Sequence, residues 1–246
     1  MLKLSALTLC LLIAVVAGPA WAADPPTRPM RNFDHAKTTA RNKVYAGNYV
    51  EQYCGCTFLP RGRSGGFLDL SSCGYQRSRA GTEDMEWEHV VPAKAFGHWR
   101  ACWAGDARCF ERDGDRLSNR ECCTRIDPEF ARIQVDLHNL IPAVEGLNAR
   151  RGERPYGEVA GDAPQFGSCT FQIDYDTDVA EPPRNIQGDV ARISLYMRDT
   201  YGVMFTPEQE TMFQRWSTDD PVDDWEIERN RRIEAEQGNS NPYVRP

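Results

Sequence analysis

The stretch EDMEWEHVVPA, residues 83 to 93, places four carboxylates within six positions and follows them with a histidine and the apolar residues VVP. Trp87, Val90 and Val91 are typical of a buried strand, which Pro92 would end. Glu88 and His89 would project from the two faces of such a strand or from its end. A lone histidine in this setting is more often packed or solvated than catalytic, so this stretch alone predicts only a strand.

A second segment, DLHNLIPAVEGLNARRG, starts at residue 136 and contains further polar side chains, among them His138 and Asn139. We predict a short strand in HNLIPAV and a short helix in EGLNARRG that ends at Gly152. Asn148 lies on this helix, nine residues after Asn139. The predicted order is therefore a strand that carries His89, a second strand, and a helix that carries Asn148.

The rest of the chain predicts further helices and short strands, so the expected fold class is α+β in a single domain. A helix is expected over residues 34–53 with Asp34 as its cap, and residues 101–124 are expected to form a polar loop that holds four cysteines. The other predicted elements are strands in CTFLP and GGFLDL, helices in DPEFARIQVDL (capped by Asp127), in GDVARISLYMRDTYG and from Thr206 onward, and a solvated charged helix in DDWEIERNRRIEAEQG.

Residues 1–22, MLKLSALTLCLLIAVVAGPAWA, have the features of a signal peptide. Lys3 supplies a positive charge, an apolar run follows, and Ala20-Trp21-Ala22 is typical of a cleavage site. The apolar run is too short for a spanning helix, and an uncleaved anchor is the alternative. We expect residues 23–246 to form the mature domain, periplasmic or secreted and not attached to a membrane.

Eight of the nine cysteines lie in this mature domain. An even number of cysteines in an exported protein indicates disulfide bonds, and eight thiols allow 105 pairings. Cys54 and Cys56 are too close together for a usual zinc site, and no second pair with zinc-like spacing follows. The cysteines are therefore expected to be structural.

The formal net charge of −7 is unusual for a protein that binds polyanions, but the charge is unevenly distributed. Residues 23–154 hold 20 basic and 18 acidic side chains, whereas residues 155–246 hold 8 and 18. The acidity is thus concentrated in the C-terminal third. The region around His89 is rich in arginine.

Several short motifs, in their order along the chain, together resemble the endonuclease I family of periplasmic and secreted nucleases. These motifs are EWEHVVPA, NRECCTR, DLHNLIPAVEGLN, AEPP, YMRD and the terminal DWE, GN and NPYV. The resemblance extends from about residue 30 to the C-terminus. It implies a ββα-metal, or His-Me finger, core in a disulfide-bonded domain. It also implies an endonuclease that hydrolyses phosphodiester bonds of DNA, and of RNA, without sequence specificity, uses one metal ion and leaves 5′-phosphate ends.

The resemblance assigns roles to four residues of this chain. His89 matches the general base, Glu88 and Asn148 match the ligands of a magnesium ion, and Arg120, in an Arg-x-x-Cys pattern, matches the arginine that contacts phosphate. A backbone carbonyl near Gln134 is expected to hold the second ring nitrogen of the histidine.

These residue types suit phosphodiester hydrolysis. A neutral imidazole, whose reference pKa is about 6.5, can take a proton from water at neutral pH. One carboxylate and one amide oxygen leave room around a hard cation for waters and a phosphate oxygen, which suits Mg²⁺, with Mn²⁺ or Ca²⁺ as substitutes for binding. Arginine offers a planar pair of donors to phosphate.

Neighbouring residues have simpler interpretations. Arg108 remains an alternative to Arg120, because the loop that holds both is longer than is usual in the family. The other histidines are expected to be non-catalytic, with His98 and His138 structural and His35 on the surface. The first carboxylates of the quoted stretch are expected to form a solvated charge run: Glu83, Asp84 and Glu86.

Binding of DNA and RNA is expected to be electrostatic and independent of sequence, through phosphate contacts made by a monomer. An ordinary solvated side chain is an equally good interpretation of each candidate contact. The candidates are Arg61, Arg63, Arg77, Arg79, Arg150 and Arg151.

The resemblance also bears on disulfide pairing. Family members tend to have cysteines in the C-terminal tail, where this chain has Ile227, whereas Cys109 and Cys122 lie in its lengthened loop. We predict that these two pair with each other and that Cys102 pairs with Cys123. Two more bridges are expected among Cys54, Cys56, Cys73 and Cys169.

Two other functions are open at this point. A non-catalytic, disulfide-stapled nucleic-acid-binding module on the same fold would be indicated by the loss of His89, Glu88 or Asn148, and all three are present. A zinc hydrolase would be favoured by an HExxH motif, whereas His89 and His98 are nine residues apart.

Overall fold

The computed structural model describes residues 23–76, 84–161 and 164–245. The expected signal peptide, residues 1–22, lies outside these ranges, as do Arg77, Arg79 and Glu83. No helix within the described ranges is long and apolar enough to cross a membrane.

A four-stranded antiparallel sheet, in the order β1-β2-β3-β4, forms the centre of the fold. Strand β2 pairs with β3 at Asp84 and Met85, whereas β4 pairs with β3 from Met85 to His89. Over the part of the chain described, β2 does not follow β3 beyond Met85, so that edge of β3 is left to face a cleft. The strands are β1 (Thr57–Arg61), β2 (Gly65–Asp69), β3 (Asp84–His89) and β4 (Leu140–Val144).

Helices pack around this sheet, which confirms the α+β class. A π-helical turn (Ala40–Val44) continues the first helix, and two short strands, β5 (Gln172–Asp174) and β6 (Val179–Glu181), form a separate antiparallel pair. The longest helix of the described residues is mostly buried. The α-helices are α1 (Phe33–Thr39), α2 (Ala93–Gly97), α3 (Ala101–Ala104), α4 (Asn119–Ile126), α5 (Pro128–Ile133), α6 (Glu145–Arg151), α7 (Gln187–Tyr201), α8 (Pro207–Asp219) and α9 (Asp224–Gln237).

The predicted strand–strand–helix unit is confirmed as β3, β4 and α6. Helices α2 to α5 form an excursion between the two strands. All five residues of β4 are buried. Pro142 is tolerated within β4 because this strand lies at the edge of the sheet, where the missing N–H breaks no ladder.

Disulfide bonds hold the excursion and the β1–β2 hairpin in place. The two bridges predicted for the excursion are confirmed, and they tie α3 and the segment after it to α4. Among the described residues the bridges are Cys102–Cys123, Cys109–Cys122, Cys54–Cys169 and Cys56–Cys73.

Several predicted boundaries are wrong. The helix expected over residues 34–53 is capped by Asn32 instead of Asp34, and its helical turns stop at Val44, just before Gly47 adopts a φ of 80°. Residues 101–124 are not all loop, because α3 and the start of α4 lie within them. The helix expected over DPEFARIQVDL is shorter than predicted: α5 ends at Ile133, and a short 3₁₀ turn begins at Leu137.

The C-terminal helix α9 is not simply solvated. Arg229 and Ile233 are buried, and Nη2 of Arg229 lies 2.9–3.1 Å from three backbone carbonyls at the entrance to β4. A long basic side chain therefore satisfies backbone acceptors in the interior. Charge alone could not reveal this, because an exposed and a buried arginine look the same in a sequence.

A buried polar network beneath β4 includes His138. The carboxylate of Asp136 accepts hydrogen bonds from the hydroxyls of Tyr196 and Tyr201, and Nε2 of His138 lies 3.2 Å from the carbonyl of Asn239. Because a carbonyl only accepts, Nε2 carries the proton. Burial lowers the pKa of His138 to about 4, so the ring is neutral at neutral pH, in keeping with a structural role.

Acidification should destabilise the protein through His138. An unfolded histidine takes up a proton near its ordinary pKa of 6.5, whereas the folded ring does so near 4. The folded pKa is the lower one, so this contribution is complete above pH 6.5 and is lost as the pH falls towards 4. At pH 5 the loss is roughly 2 kcal/mol.

Thermal unfolding of the wild type and of His138→Gln between about pH 5 and 7.5 measures this effect. The variant should show a weaker dependence of Tm on pH. His98→Gln controls for the substitution of an exposed histidine. Equal slopes for the wild type and His138→Gln would contradict the assignment.

Candidate active site

A cleft of about 450 Å³ lies along the open edge of β3. Its walls come from α1, the β1–β2 hairpin, β3, α4 and α6. The four residues that the sequence singles out, Glu88, His89, Arg120 and Asn148, all line it. Residues that are up to 60 positions apart in the sequence are thus brought into one cavity.

His89 is the last residue of β3 and is almost completely buried. Its Nε2 lies 2.8 Å from the backbone carbonyl of Gln134, which confirms the contact predicted near that residue. The carbonyl can only accept, so Nε2 carries the proton and Nδ1 keeps its lone pair. Burial, and then the charge of Arg120, lower the pKa of His89 to about 3, so the imidazole is neutral.

Glu88 is buried and forms an ion pair with Arg151 of α6. Nη1 of Arg151 lies 2.6 Å from Oε1 of Glu88 and also donates to the carbonyl of His89, while Nη2 donates to the carbonyl of Val90. Burial raises the pKa of the Glu88 carboxyl, and the guanidinium opposes that rise. The ion pair holds the end of β3, which forms part of the cleft wall, against α6.

Arg151 fits neither interpretation considered for it from the sequence, a phosphate contact or a solvated side chain. Its side chain is completely buried and stacks on the ring of Tyr156, with 4.4 Å between the guanidinium carbon and the ring centroid. Burial acts to lower the pKa of Arg151, but the neighbouring Tyr156 and Glu88 outweigh it and raise the pKa above its ordinary value. A phosphate group could not reach this guanidinium.

Asn148 lies half-buried on α6, three residues before Arg151. Its Nδ2 donates to Oε2 of Glu86 at 3.2 Å, which leaves Oδ1 as an acceptor. Glu86 is exposed, as expected, yet it also orients this amide. Glu86 and Glu88 are alternate residues of β3 and so project from the same face of the sheet.

Arg120 lies in the first turn of α4 and is half-buried. Its Nε donates to Oε1 of Gln134 at 3.3 Å, and among the described residues its buried Nη2 has no hydrogen-bond partner. Gln134 thus holds His89 with its backbone and Arg120 with its side chain. Burial lowers the pKa of Arg120, with the Glu88 carboxylate opposing, but an arginine stays charged at neutral pH.

Arg108, the alternative to Arg120, lies elsewhere. It is exposed and binds both oxygens of Asp106, with each N–O distance 2.8 Å. It is not one of the residues that line the cleft. Arg61, another candidate contact, forms an exposed ion pair with Asp84 at 3.3 Å.

The oxygen donors of the cleft fit a hard divalent cation. Glu88 and Asn148 offer one carboxylate and one oriented amide oxygen, from β3 and α6. Within the described ranges, no cluster of three or more His, Cys, Asp or Glu side chains is placed to hold a metal. A sparse oxygen set suits Mg²⁺, which keeps most of its coordination as water or phosphate oxygens.

Comparison with protein families shows the family to which the chain belongs. A family model described as Endonuclease I matches residues 32–246. The chain belongs to the endonuclease I family. The cleft described above lies within the matched region, and so do all eight cysteines of the four bridges.

Two deoxyribonucleases match most of the chain, and a ribonuclease matches less than half of it. An extracellular deoxyribonuclease of Aeromonas hydrophila is 37% identical over 243 residues, which span 97% of this chain and 96% of that protein. A periplasmic deoxyribonuclease of the same species is 36% identical over 207 residues, or 82% of this chain and 81% of that protein. An extracellular ribonuclease of Bacillus subtilis is 33% identical over 128 residues, or 45% and 43%.

Three residues in or behind the cleft wall have roles that were not predicted from the sequence. Arg151 had a signal, since Asn148 and Arg151 are three apart on one helix and face the same way. Glu86 had one too, since it alternates with Glu88 along a strand. Phe33, which lines the cleft from α1, had none, because nothing local links it to a strand more than fifty residues later.

Replacing Arg151 tests whether it is a buried ion-pair partner or a phosphate contact. Arg151→Met leaves the Glu88 carboxylate buried without its partner, and should lower the free energy of unfolding by about 3–5 kcal/mol. Urea denaturation measures this. The neighbouring, half-buried Arg150→Met is the matched control and should cost less than about 1 kcal/mol. Arg151→Met that is as stable as the wild type, yet binds DNA more weakly, would restore the phosphate-contact interpretation.

Proposed function

We propose that this protein is an exported endonuclease that hydrolyses phosphodiester bonds of DNA and RNA without sequence specificity. The main support is that His89, Glu88, Asn148 and Arg120 share one cleft, with the base, the oxygen donors and the arginine from separate elements. Relatives are named extracellular or periplasmic deoxyribonucleases and an extracellular ribonuclease, which supports export and a nucleic-acid substrate. Residues 1–22 act as the signal peptide in this proposal.

His89 acts as the general base. Its Nδ1 takes a proton from the attacking water, while Nε2–H keeps its hydrogen bond to the Gln134 carbonyl. This carbonyl holds the ring in one tautomer and stabilises the imidazolium that forms. Burial keeps the imidazole unprotonated before the reaction.

Glu88 and Asn148 hold the metal ion. Bound Mg²⁺, for which Mn²⁺ or Ca²⁺ can substitute in binding, would neutralise charge on the scissile phosphate and on the leaving 3′ oxygen. Arg151 keeps the Glu88 carboxylate in place, and Glu86 keeps the amide oxygen of Asn148 available. Cleavage leaves a 5′-phosphate and a 3′-hydroxyl.

Arg120 binds the phosphate. Its buried Nη2, which has no hydrogen-bond partner among the described residues, is a donor that a phosphate oxygen would satisfy. Arg108 does not share this property, since it lies outside the cleft and its Nε and Nη2 pair with the carboxylate of Asp106. Other contacts are to phosphates along the strand, and the protein acts as a monomer.

A plasmid digest by the oxidised mature protein tests the reaction. Mg²⁺ should support nicking and linearisation, and EDTA should stop both. His89→Ala should lower the rate by at least about 100-fold, the lower range for general-base catalysis. End-labelling of the products checks for 5′-phosphates.

Other outcomes of this digest favour other functions. DNA binding without cleavage by the wild type, in Mg²⁺, Mn²⁺ or Ca²⁺, would favour a non-catalytic binding module on the same fold. Activity restored to the metal-free protein by stoichiometric zinc, with magnesium ineffective, would favour a zinc hydrolase.

A matched pair of arginine substitutions tests the phosphate contact. Arg120→Met should lower kcat/KM roughly 100-fold, because one preorganised donor to the developing charge is removed. Arg108→Met, in the same excursion, should change kcat/KM less than about threefold, because its guanidinium lies outside the cleft. Steady-state cleavage of a fluorescent oligonucleotide measures both. The reverse order of effects would transfer the role to Arg108.

A further inference from the structure

Phe33, the first residue of α1, touches three charged or polar groups of the cleft. Its ring stacks on the His89 imidazole, with 5.2 Å between ring centroids and 15° between planes. The guanidinium carbon of Arg120 lies 4.8 Å from the Phe33 centroid, and Nζ of Lys37 lies 4.9 Å from it. The ring is thus a common neighbour of groups from three separate elements.

The placement of the ring is fixed by local structure. Asn32 caps α1 by accepting a hydrogen bond from the backbone N–H of His35, which sets where the helix begins. Phe33 is half-buried and lines the cleft. Lys37, one turn later on α1, pairs with Asp34 at 2.9 Å.

The stack supplies an orientation that hydrogen bonding alone does not. The Gln134 carbonyl fixes one nitrogen of His89, but the ring could still swing about that contact. A parallel aromatic neighbour restrains the ring plane, and so the direction in which Nδ1 points.

For Arg120 the chemical nature of Phe33 matters. A phenyl ring attracts a guanidinium through its quadrupole and offers no acceptor atom and no formal charge. A carboxylate at this place would hold the arginine more strongly but would occupy its N–H donors and cancel its charge. The ring therefore restrains Arg120 and leaves its donors for a phosphate.

We propose that Phe33 is a positioning residue, whose ring fixes the His89 imidazole and the Arg120 guanidinium relative to each other while leaving both open to the substrate. This inference rests on the proposed nuclease function. Phe33 does not itself touch the reacting atoms in this proposal.

Two substitutions separate the aromatic ring from its apolar bulk. Phe33→Leu keeps bulk without the ring, and should lower kcat on the order of tenfold, with a smaller change in KM. Phe33→Tyr keeps the ring and should retain kcat within about threefold of the wild type. The substrate is a fluorescent oligonucleotide in Mg²⁺, and Tm is measured for each variant.

A double-mutant cycle with Arg120→Met tests the path of the effect. If Phe33 acts partly through Arg120, Phe33→Leu should cost much less in the Arg120→Met background than in the wild type. The control is Phe213→Leu, which removes a buried ring that packs on Trp216 outside the cleft. It should lower Tm while kcat, measured well below Tm, stays unchanged.

Three results would overturn the inference: unchanged kcat in Phe33→Leu, failure of Phe33→Tyr to retain activity, or an equal cost of Phe33→Leu in both backgrounds. With an active wild type and an impaired Arg120→Met, these results would reject Phe33 alone and leave the nuclease function standing. A wild type that does not cleave would reject both.

Discussion

The buried ion pair between Arg151 and Glu88 is the contact on which the cleft depends. A guanidinium with no exposure to water carries a large desolvation cost, which is offset only by well-placed acceptors. Here the Glu88 carboxylate and the carbonyls of His89 and Val90 supply them, all at the end of β3. Because the desolvation cost is offset only when these acceptors surround the guanidinium, α6 is held in one position against β3. Asn148 shares that helix, so its amide is held beside Glu86 by the same constraint.

The rest of the cleft is held by a different part of the chain. Gln134, at the end of α5, supplies the carbonyl for His89 and the side-chain oxygen for Arg120, and its amide donates to Thr124 of α4 at 2.7 Å. Two disulfides join α4 to α3 and the segment between them. The oxygen donors are thus fixed by the sheet and α6, whereas the orientation of the histidine and the arginine is fixed by the stapled excursion. Phe33, from a third region (α1), contacts both the histidine and the arginine.

How much of this could be predicted follows from what a sequence pattern encodes. The β3, β4 and α6 elements were predictable because apolar periodicity and a helix-ending glycine are local signals. The roles proposed for Glu88, His89, Arg120 and Asn148 rest on a family resemblance, and the four residues line one cleft. Arg151 and Arg229 were misjudged for one reason: a charged residue carries no mark of whether backbone carbonyls will surround it. The position of Phe33 in the cleft could not be predicted, because its contacts with His89 and Arg120 join residues that are far apart in the sequence.

The acidic composition poses less of an obstacle to a polyanionic substrate than the net charge suggests. Part of the C-terminal acidity is internal, as in the buried pair of Glu226 with Arg192. Within the cleft wall, however, the acidic side chains Glu86, Glu88 and Glu153 outnumber the basic Lys37 and Arg120. The lining is therefore negative by one formal charge, and a bound divalent cation would make it positive. Since phosphate contacts dominate affinity for nucleic acids, a bound divalent cation would favour substrate binding as well as the proposed chemical step.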